Sequence, residues 1–332
     1  LIVDEGDPFN KILHNKSLNK LRSKNLFSKV KSKIIDTENS DQKDIDIIIE
    51  EKPTGEIMAG AGYGTDGTTF SVGIRENNFK GEGINLNTKL SLTEQTVKGF
   101  FEYTHPNFAY SDRALSTSLE SSVTDKLTDF GYKSSLNKVS LGTRYEQFEN
   151  TFFSPRLSIS SESLDTTSTA SAAYKKQEGS YFDTTFDYGL TLDKRNSAYQ
   201  PSSGFYSSWF QQLPIISENQ TIVNGYTITG YKEIADDMII SSGIYSRAIN
   251  SLTNDDVRVS KRIFAPSSRL RGFESGRVGP VDGADHIGGN YVVTFNTSST
   301  IPYILQTQEN IDLKVFFDAG NIWGVDYSNA LD

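Results

Sequence analysis

Apolar and polar residues alternate along most of the chain after residue 55. From Ile84 to Leu92 mainly aliphatic residues alternate with asparagine, lysine and serine, and from Phe182 to Leu192 mainly aromatic and aliphatic residues alternate with aspartate, threonine and glycine. Because successive side chains of a β-strand point to opposite faces, this period predicts strands with one apolar and one polar face. About thirteen such segments can be recognised, separated by glycine, asparagine, aspartate, serine and proline.

Strand length and spacing separate two β architectures that share this alternation. A soluble β-sandwich uses strands of about 5 to 6 residues, whereas many segments here run for about 10 to 13 residues, which a tilted strand needs to cross a bilayer. Brief connections such as 76–81 alternate with long ones such as 165–179 and 251–287. Short turns on one side and long loops on the other predict a mainly β protein, a transmembrane antiparallel β-barrel.

The first 52 residues follow a different pattern. Residues 10–24 carry apolar side chains at helical spacing, and two strands, 27–35 and 45–49, follow around a polar turn. A proline and a glycine then interrupt the pattern. The sequence therefore predicts two domains, a partial α+β domain over 1–52 and a β domain over 53–332.

The amino-acid composition argues against several classes of function. The chain has 332 residues, of which 36% are hydrophobic, and it has no cysteine and a formal net charge of -9. This charge argues against non-specific binding of nucleic acid, which depends on an excess of lysine and arginine. The lack of cysteine removes disulfides and thiolate metal sites. No apolar run approaches the roughly 18 residues of a membrane-spanning helix, and no signal peptide is visible, so we expect the natural N terminus to lie upstream.

No constellation of residues predicts catalysis. The three histidines are scattered and lack the spacing of a metal site or of a hydrolase base. Gly62–Gly67 matches the pattern G-x-G-x-x-G, but a dinucleotide site requires a helix directly afterwards, and 68–75 alternates as a strand. We interpret Asp66 and Gly67 as a hairpin turn. The sequence predicts no enzyme, no cofactor and no metal site.

Glycine is frequent in the first predicted strand of the β domain, at Gly55, Gly60, Gly62 and Gly64. Missing side chains weaken the packing of an edge strand and make it easier to unpair. That property suits a first strand that opens as a lateral gate. Crowding inside a barrel would explain the same glycines equally well, so the pattern leaves both explanations open.

The motif Arg269–Phe273 lies in the longest predicted loop, and a strong strand, Phe316–Trp323, follows it. These segments resemble the BamA family of the bacterial surface antigen superfamily, in which POTRA domains precede a barrel. The motif is similar to the V/L-R-G-F element of that family's sixth extracellular loop. The resemblance spans nearly the whole chain and includes Gly60–Thr65, Asp193–Asn196 with Pro201 and Gly204, Gly279-Pro280, and Gly288–Asn290.

The resemblance has consequences for the organisation of the chain. It implies that residues 1–52 are the latter part of the last POTRA domain, with Leu26–Val30 in place of the family's G-F/Y-F-x-x-V motif. It also implies that about 13 of 16 barrel strands are present. Upstream POTRA repeats and the last barrel strands would then lie outside this sequence.

Arg271 is the sharpest candidate site residue. A guanidinium on a loop inside a barrel loses hydration and needs a carboxylate partner, and its planar fork can bond a carboxylate at two points. Asp318 lies on the strand face opposite Val315 and Phe317, so it points inward if those residues meet lipid. The resemblance implies the same loop clamp, formed by Arg271, Gly272, Phe273 and Asp318.

Two further points concern this clamp. Residues 290–301 contain no aspartate or glutamate, whereas members of the family often add a carboxylate there, so Asp318 would have help only from Asn296 or Ser298. The alternative interpretation of Arg271 is an arginine on a solvated loop.

The resemblance implies an outer-membrane protein assembly factor, an insertase that folds β-barrel proteins into the membrane through a lateral seam. The expected partners are unfolded outer-membrane proteins, accessory assembly lipoproteins and outer-membrane lipid, and the N-terminal part would lie in the periplasm. Two alternatives stay open. One is a translocation or secretion pore of the same superfamily, either TamA-like or a two-partner transporter, and the other is a passive porin.

Overall fold

The structure is a computed structural model that describes residues 5–23, 26–37, 42–64, 67–301 and 313–331. Its N-terminal part contains helix α1 (Lys11–Ser23) and a two-stranded antiparallel sheet of β1 (Phe27–Asp36) and β2 (Lys43–Glu51). Asn10 caps α1, because its side-chain oxygen accepts the backbone N–H of Ile12 at 2.9 Å. This agrees with the predicted helix and two strands.

One large antiparallel sheet occupies the rest of the chain. Thirteen strands follow one another along it in the order β18-β17-β14-β13-β12-β11-β10-β8-β7-β6-β5-β4-β3, and the short β9 pairs with β8 and β11. The number matches the prediction. The strands are β3 (Gly55–Gly64), β4 (Gly67–Phe79), β5 (Ile84–Thr93), β6 (Thr96–His105), β7 (Ala114–Lys126), β8 (Tyr132–Phe148), β9 (Thr151–Phe153), β10 (Arg156–Thr166), β11 (Gly179–Asp193), β12 (Ser203–Ser217), β13 (Thr221–Ala235), β14 (Met238–Ser251), β17 (Tyr291–Thr300) and β18 (Lys314–Trp323).

The largest connection, residues 252–290, is called the long loop below. It contains a 3-10 turn (Val259–Lys261) and a tiny hairpin of β15 (Val281–Asp282) and β16 (Asp285–His286). Two single-turn helices lie in other connections at the same end of the sheet, α2 (Leu127–Phe130) and α3 (Ala172–Lys175). The alternation pattern predicted no helix in this part of the chain, since one turn is too short to produce a helical period.

The two faces of the large sheet differ in composition and exposure. On one face the large apolar side chains are open, with exposed fractions of 54% for Phe70, 45% for Ile159 and 60% for Phe317. The opposite face buries polar groups such as Glu162 and Thr294. A soluble sheet buries its apolar face and exposes its polar one, so this sheet has the inverse arrangement.

The sheet bends around the long loop. One buried apolar cluster contains both Phe130, just before β8, and Val325, just after β18, together with Val259 of the long loop. Along the sheet, β8 and β18 are seven strands apart, which corresponds to about 34 Å at the usual strand spacing. A flat sheet would keep these residues apart, so the polar face must curve to enclose the loop.

A second apolar cluster packs the long loop directly against the wall. Val257, Ile263 and Leu270 of the loop contact a group of buried residues on β13, β14, β17 and β18. That group consists of Val223, Ile249, Val292 and Ile322. The core of this protein therefore lies between the long loop and the enclosed face, and its formation depends on the loop.

No helix among the residues with described structure is long and apolar enough to cross a membrane.

Candidate functional site: the sheet edges and the long loop

The described part of the sheet ends in two edge strands. β3 pairs with β4 alone, and β18 pairs with β17 alone, within the residues that the structure describes. The outer side of each edge strand carries backbone N–H and C=O groups that can bond another strand. Of these two strands, β3 is the one that the sequence analysis predicted as a lateral gate.

The predicted glycines all fall on β3, and the structure shows the described surroundings of each. No described atom lies within 4 Å of the position that a Cβ of Gly62 would take, and the nearest atom to a Cβ at Gly60 is Ser71 Oγ at 3.5 Å. Among the described residues, these two positions are therefore not crowded, and the lateral gate and crowding inside a barrel both stay open as explanations. A Cβ at Gly55 would lie 3.1 Å from Glu76 Oε2, which is a tight contact. Gly64 pairs with Gly67 at the end of the hairpin.

The G-x-G-x-x-G segment has no helix after it. β4 begins at Gly67 and pairs antiparallel with β3 from Gly67 to Glu76. The dinucleotide interpretation is thereby excluded, since it needs a helix N-terminus at this point. Asp66, half of the predicted hairpin turn, lies outside the described residues.

The structure brings Arg271 and Asp318 together. Arg271 Nε donates to Asp318 Oδ2 at 2.7 Å and Nη2 donates to Oδ1 at 2.6 Å, and the backbone N–H of Arg271 also donates to Oδ2 at 2.9 Å. The Asp318 side chain is only 2% exposed. The solvated-loop interpretation of Arg271 is therefore wrong, because its guanidinium makes a bidentate contact with a buried carboxylate.

Asn296 completes this contact from the neighbouring strand. Its Nδ2 donates to Asp318 Oδ1 at 2.8 Å and to the backbone oxygen of Arg269 at 2.6 Å. Asn296 on β17 and Asp318 on β18 lie directly opposite each other, so the short side chain of Asn296 can reach the carboxylate. Ser298, the other predicted helper, instead bonds Ser241 on β14.

The Arg271 guanidinium also lies 3.9 Å above the ring of Phe316, which shares a strand face with Asp318. The hydrogen bonds with Asp318 raise the pKa of Arg271. We call Arg271, Asp318, Asn296 and Phe316 the edge anchor, because they hold the long loop to an edge strand.

The other two residues of the predicted clamp have smaller parts. Gly272 adopts a φ of 87°, a left-handed conformation that glycine tolerates best, and so allows the chain to turn away after Arg271. The Phe273 side chain is 53% exposed, so it does not bury itself with the anchor. The aromatic contact of Arg271 is supplied by Phe316 and not by the motif's own phenylalanine.

A second charged site, which the sequence analysis did not predict, joins the long loop to the middle of the sheet. Arg258 has a side chain that is 1% exposed, and its two Nη atoms reach Glu162 on β10, at 3.1 Å, and Asp183 on β11. Lys261 Nζ lies 3.0 Å from Asp183 Oδ2. We call Arg258, Lys261, Glu162 and Asp183 the central anchor.

The side chains of the central anchor are largely buried, and their two positive charges balance two negative charges. Burial lowers the pKa of Lys261, and the neighbouring charge of Arg258 acts in the same direction. The one available sequence signal was weak. Glu162 and Asp183 occupy polar-face positions of alternating strands, but the same is true of many carboxylates that remain hydrated.

Among the described residues, no group of three or more histidine, cysteine, aspartate or glutamate side chains could hold a metal ion. The site consists of hydrogen-bonded and ionic contacts, which can position chain segments.

The family model of the Omp85 superfamily domain matches residues 78–331. This is well over half of the chain. The chain belongs to the Omp85 superfamily. The match includes the long loop, β18 and both anchors, which are therefore part of the Omp85 domain, whereas β3 lies before the matched range.

Two curated relatives that the chain matches are named as assembly factors. The chain is 22% identical over 327 residues to the outer membrane protein assembly factor BamA of Nitratidesulfovibrio vulgaris, covering 96% of this chain and 41% of that protein. It is 21% identical over 288 residues to BamA of Neorickettsia risticii, covering 85% of this chain and 39% of that protein. The chain thus spans about two fifths of the length of the curated relatives it matches.

Two solved structures share the fold. BamA from Haemophilus ducreyi lacking POTRA domains 1–3 matches with a TM-score of 0.80 at 21% identity, covering 97% of this chain and 68% of that one. CdiB from Acinetobacter baumannii matches with a TM-score of 0.58 at 12% identity, covering 96% and 59%. This chain is therefore an Omp85 member with a BamA-like fold, and the predicted family is confirmed.

Proposed function

We propose that this protein is an outer-membrane protein assembly factor that folds β-barrel proteins into the membrane and is not an enzyme. The observation that carries the proposal is the combination of an exposed apolar face, a glycine-rich first strand β3, and a loop fixed to the enclosed face of the sheet by Arg271 and Asp318. The names of the BamA relatives support the same function.

In this proposal the large sheet is the wall of a transmembrane barrel. Its apolar face would lie in the hydrocarbon and its enclosed polar face in the interior, because the backbone of a spanning strand must be hydrogen-bonded within the wall. Residues 1–52 would be part of a periplasmic POTRA domain. The end of the sheet that joins this domain would then face the periplasm, and the long loop would enter from the outside.

The edge strand β3 would act as a template. An incoming strand of an unfolded outer-membrane protein would pair with its free N–H and C=O groups by β-augmentation. Glycine at Gly60 and Gly62 leaves this strand with little side-chain packing, so it can unpair easily. The free energy would come from the client itself, whose hairpins bury apolar faces in lipid as they form. Accessory lipoproteins and outer-membrane lipid would be the further partners.

Complementation in cells tests this function. The full-length protein, and its Arg271→Ala variant, would replace the host assembly factor under depletion. We expect the parent to restore outer-membrane protein levels and growth, and Arg271→Ala to restore them poorly. The proposal fails if the parent inserts correctly into the outer membrane but does not restore the levels of any client.

A second candidate function is protein translocation, as in a two-partner secretion pore. The fold similarity to CdiB from Acinetobacter baumannii and from Escherichia coli, with TM-scores of 0.58 and 0.54, favours keeping it. Secretion of a co-expressed passenger protein into the medium, without any effect on outer-membrane protein levels, would support this function. A large and steady solute conductance in planar bilayers would instead support a passive porin.

A further inference from the structure

A row of polar residues interrupts the exposed apolar face of the large sheet. Ser121 on β7 pairs with Asn137 on β8, and Asn137 pairs with Ser161 on β10, so the three residues lie side by side. All three are exposed. On each strand, a residue two positions away on the same face is apolar and between 45% and 50% exposed, namely Leu119, Val139 and Ile159. The row therefore belongs to the face that is apolar elsewhere.

This row lies within the height of the apolar face and not at its border. It continues on β11 into Phe182, which is 52% exposed. The next row towards the end of the sheet that bears the long loop is again apolar on β5, β6 and β7, where Leu92, Val97 and Val123 are between 39% and 49% exposed. Polar side chains at such a height are costly in hydrocarbon unless a partner bonds them.

On β8 and β10, polar residues lead from this row to the end of the strands. Ser135 and Ser163 pair in the next row, and Lys133, two residues further along β8, places its Nζ 3.1 Å from Asp125 Oδ2. Such charged groups lie at the level where hydrocarbon ends. The strand from Lys133 to residue 137 covers about 13 Å. We call this polar strip in the apolar face the polar notch, and it consists of Ser121, Asn137, Ser161, Ser135 and Ser163.

A groove of about 690 Å³ opens beside the polar notch. Its sides are apolar residues of β5, β6, β8 and β11, which are Leu90, Phe101, Val139 and Phe182. Gly99 on β6 keeps the floor open, since the nearest atom of another strand to a Cβ at this position is the backbone oxygen of Ser121 at 3.8 Å. The notch and the groove together form a site with one polar and one apolar part, which fits an amphiphilic ligand.

The hydrogen-bonding groups of the notch define what such a ligand must offer. Ser121 Oγ donates to Asn137 Oδ1 at 2.9 Å. This bond uses the oxygen of Asn137, so the N–H groups on its Nδ2 and the hydroxyl of Ser161 are the donors that a ligand can contact. In a membrane, a carbonyl oxygen at the junction of headgroup and chain accepts such bonds. An acyl lipid carries this carbonyl directly above an apolar chain.

We propose that the polar notch and the groove bind one acyl lipid of the outer leaflet. Asn137 Nδ2 and Ser161 Oγ donate to the carbonyl of its acyl linkage, the chain lies in the groove over Gly99, and the headgroup lies near Lys133. This inference rests on the proposed function only for the placement of the exposed face in the membrane, with the end that bears the long loop outward.

Competition between two synthetic lipids tests the carbonyl contact. Diacyl phosphatidylcholine and its dialkyl ether analogue have the same headgroup and chain length, but the ether has no carbonyl. The full-length protein in detergent receives both in equal amounts, and mass spectrometry of the intact complex counts the first lipid retained. We expect the parent to retain the diacyl lipid about tenfold more often, because two hydrogen bonds to the carbonyl together contribute a factor of this size.

Variants of the notch locate this preference. Asn137→Leu removes the amide donors at similar volume and should reduce the preference to about twofold, and Ser161→Ala should give an intermediate value. Gly99→Leu fills the groove and should lower the retention of both lipids. Ser242→Ala is the matched control, since Ser242 is an exposed serine that bonds Thr297 at 2.9 Å on β17, outside the groove, and it should keep the tenfold preference.

Two results overturn the lipid site. One is a parent that retains the two lipids equally, or a Ser242→Ala variant that loses as much preference as Asn137→Leu. The other is a high yield of disulfide-linked dimers from Asn137→Cys in the membrane, which would assign the notch to a second copy of the chain.

Client assembly by the same preparations separates this inference from the proposed function. A parent that prefers the diacyl lipid and loses this preference in Asn137→Leu, but assembles no client, would support the lipid site and refute the assembly function. A parent that assembles clients and shows no preference would refute the lipid site and leave the function standing.

Discussion

The two anchors both attach the long loop to the sheet, but they differ in how deeply their arginines are buried. At the edge anchor the arginine is 33% exposed and one carboxylate receives all of its bonds. At the central anchor the arginine is 1% exposed and two carboxylates, from two strands, share it. When the edge anchor opens, the guanidinium of Arg271 can be hydrated. When the central anchor opens, its carboxylates are left buried without the charge of Arg258. The comparison predicts that the long loop is held more stably at Arg258 than at Arg271.

The largest effect should come from Arg258→Met. Removal of one partner leaves Glu162 and Asp183 buried with Lys261 as their remaining cation, and breaking such a group costs about 4 kcal/mol of the free energy of unfolding. Urea titration of the folded fraction in detergent, followed by electrophoretic mobility, measures this. If Arg258→Met proves milder than Arg271→Ala, the ranking of the two anchors by depth is wrong.

Arg271→Ala should cost about 2 kcal/mol, because it removes two charged hydrogen bonds and leaves the buried carboxylate of Asp318 with Asn296 and the backbone N–H. The same titration measures it. Arg277→Ala is the control, since the carboxylate that Arg277 pairs with in the same loop, Glu274, is 65% exposed whereas Asp318 is 2% exposed, and this change should cost less than about 1 kcal/mol.

The exchange Arg271→Asp with Asp318→Arg should recover part of the stability that either single change loses, with a coupling energy of about 1 kcal/mol. A double variant no better than the sum of its single changes would mean that the two side chains do not act as a pair.

Asn296→Ala should cost about 1 kcal/mol, because Arg269 loses the donor to its backbone oxygen and Asp318 loses one of its donors. Ser298→Ala, two residues along the same strand, removes a bond to Ser241 outside the anchor and should leave the Arg271–Asp318 coupling energy unchanged. Equal losses of that coupling energy in the two variants would contradict the assignment of Asn296 to the edge anchor.

The smallest effect is expected at the glycine-rich edge. Gly62→Ala has space for its methyl group and should stabilise β3 by about 0.5 kcal/mol, visible as slower amide hydrogen exchange of that strand. Gly99→Ala, on the internal strand β6, is the control. If opening of β3 serves assembly, Gly62→Ala should slow client assembly and Gly99→Ala should not.

Much of the fold could be predicted from short-range patterns in the sequence. The alternation of apolar and polar residues gave the strands and their two faces, since side-chain direction in a strand depends only on position. The partner of Arg271 followed from the same rule, because Asp318 had to lie opposite Val315 and Phe317. The structure leaves the Phe273 side chain 53% exposed, and its predicted place in the clamp stays a prediction, since a loop has no fixed period to direct its side chains.

The sequence by itself determined the strands, the change of pattern between residues 51 and 55, and the family. The tertiary structure alone decided that Arg258 meets Glu162 and Asp183, which are 96 and 75 residues away along the chain. The physical reason is that charge pairing across an enclosed space depends on the curvature of the wall and the path of the loop. Both result from the packing of many residues at once, and the alternation of residues along a single strand does not indicate it.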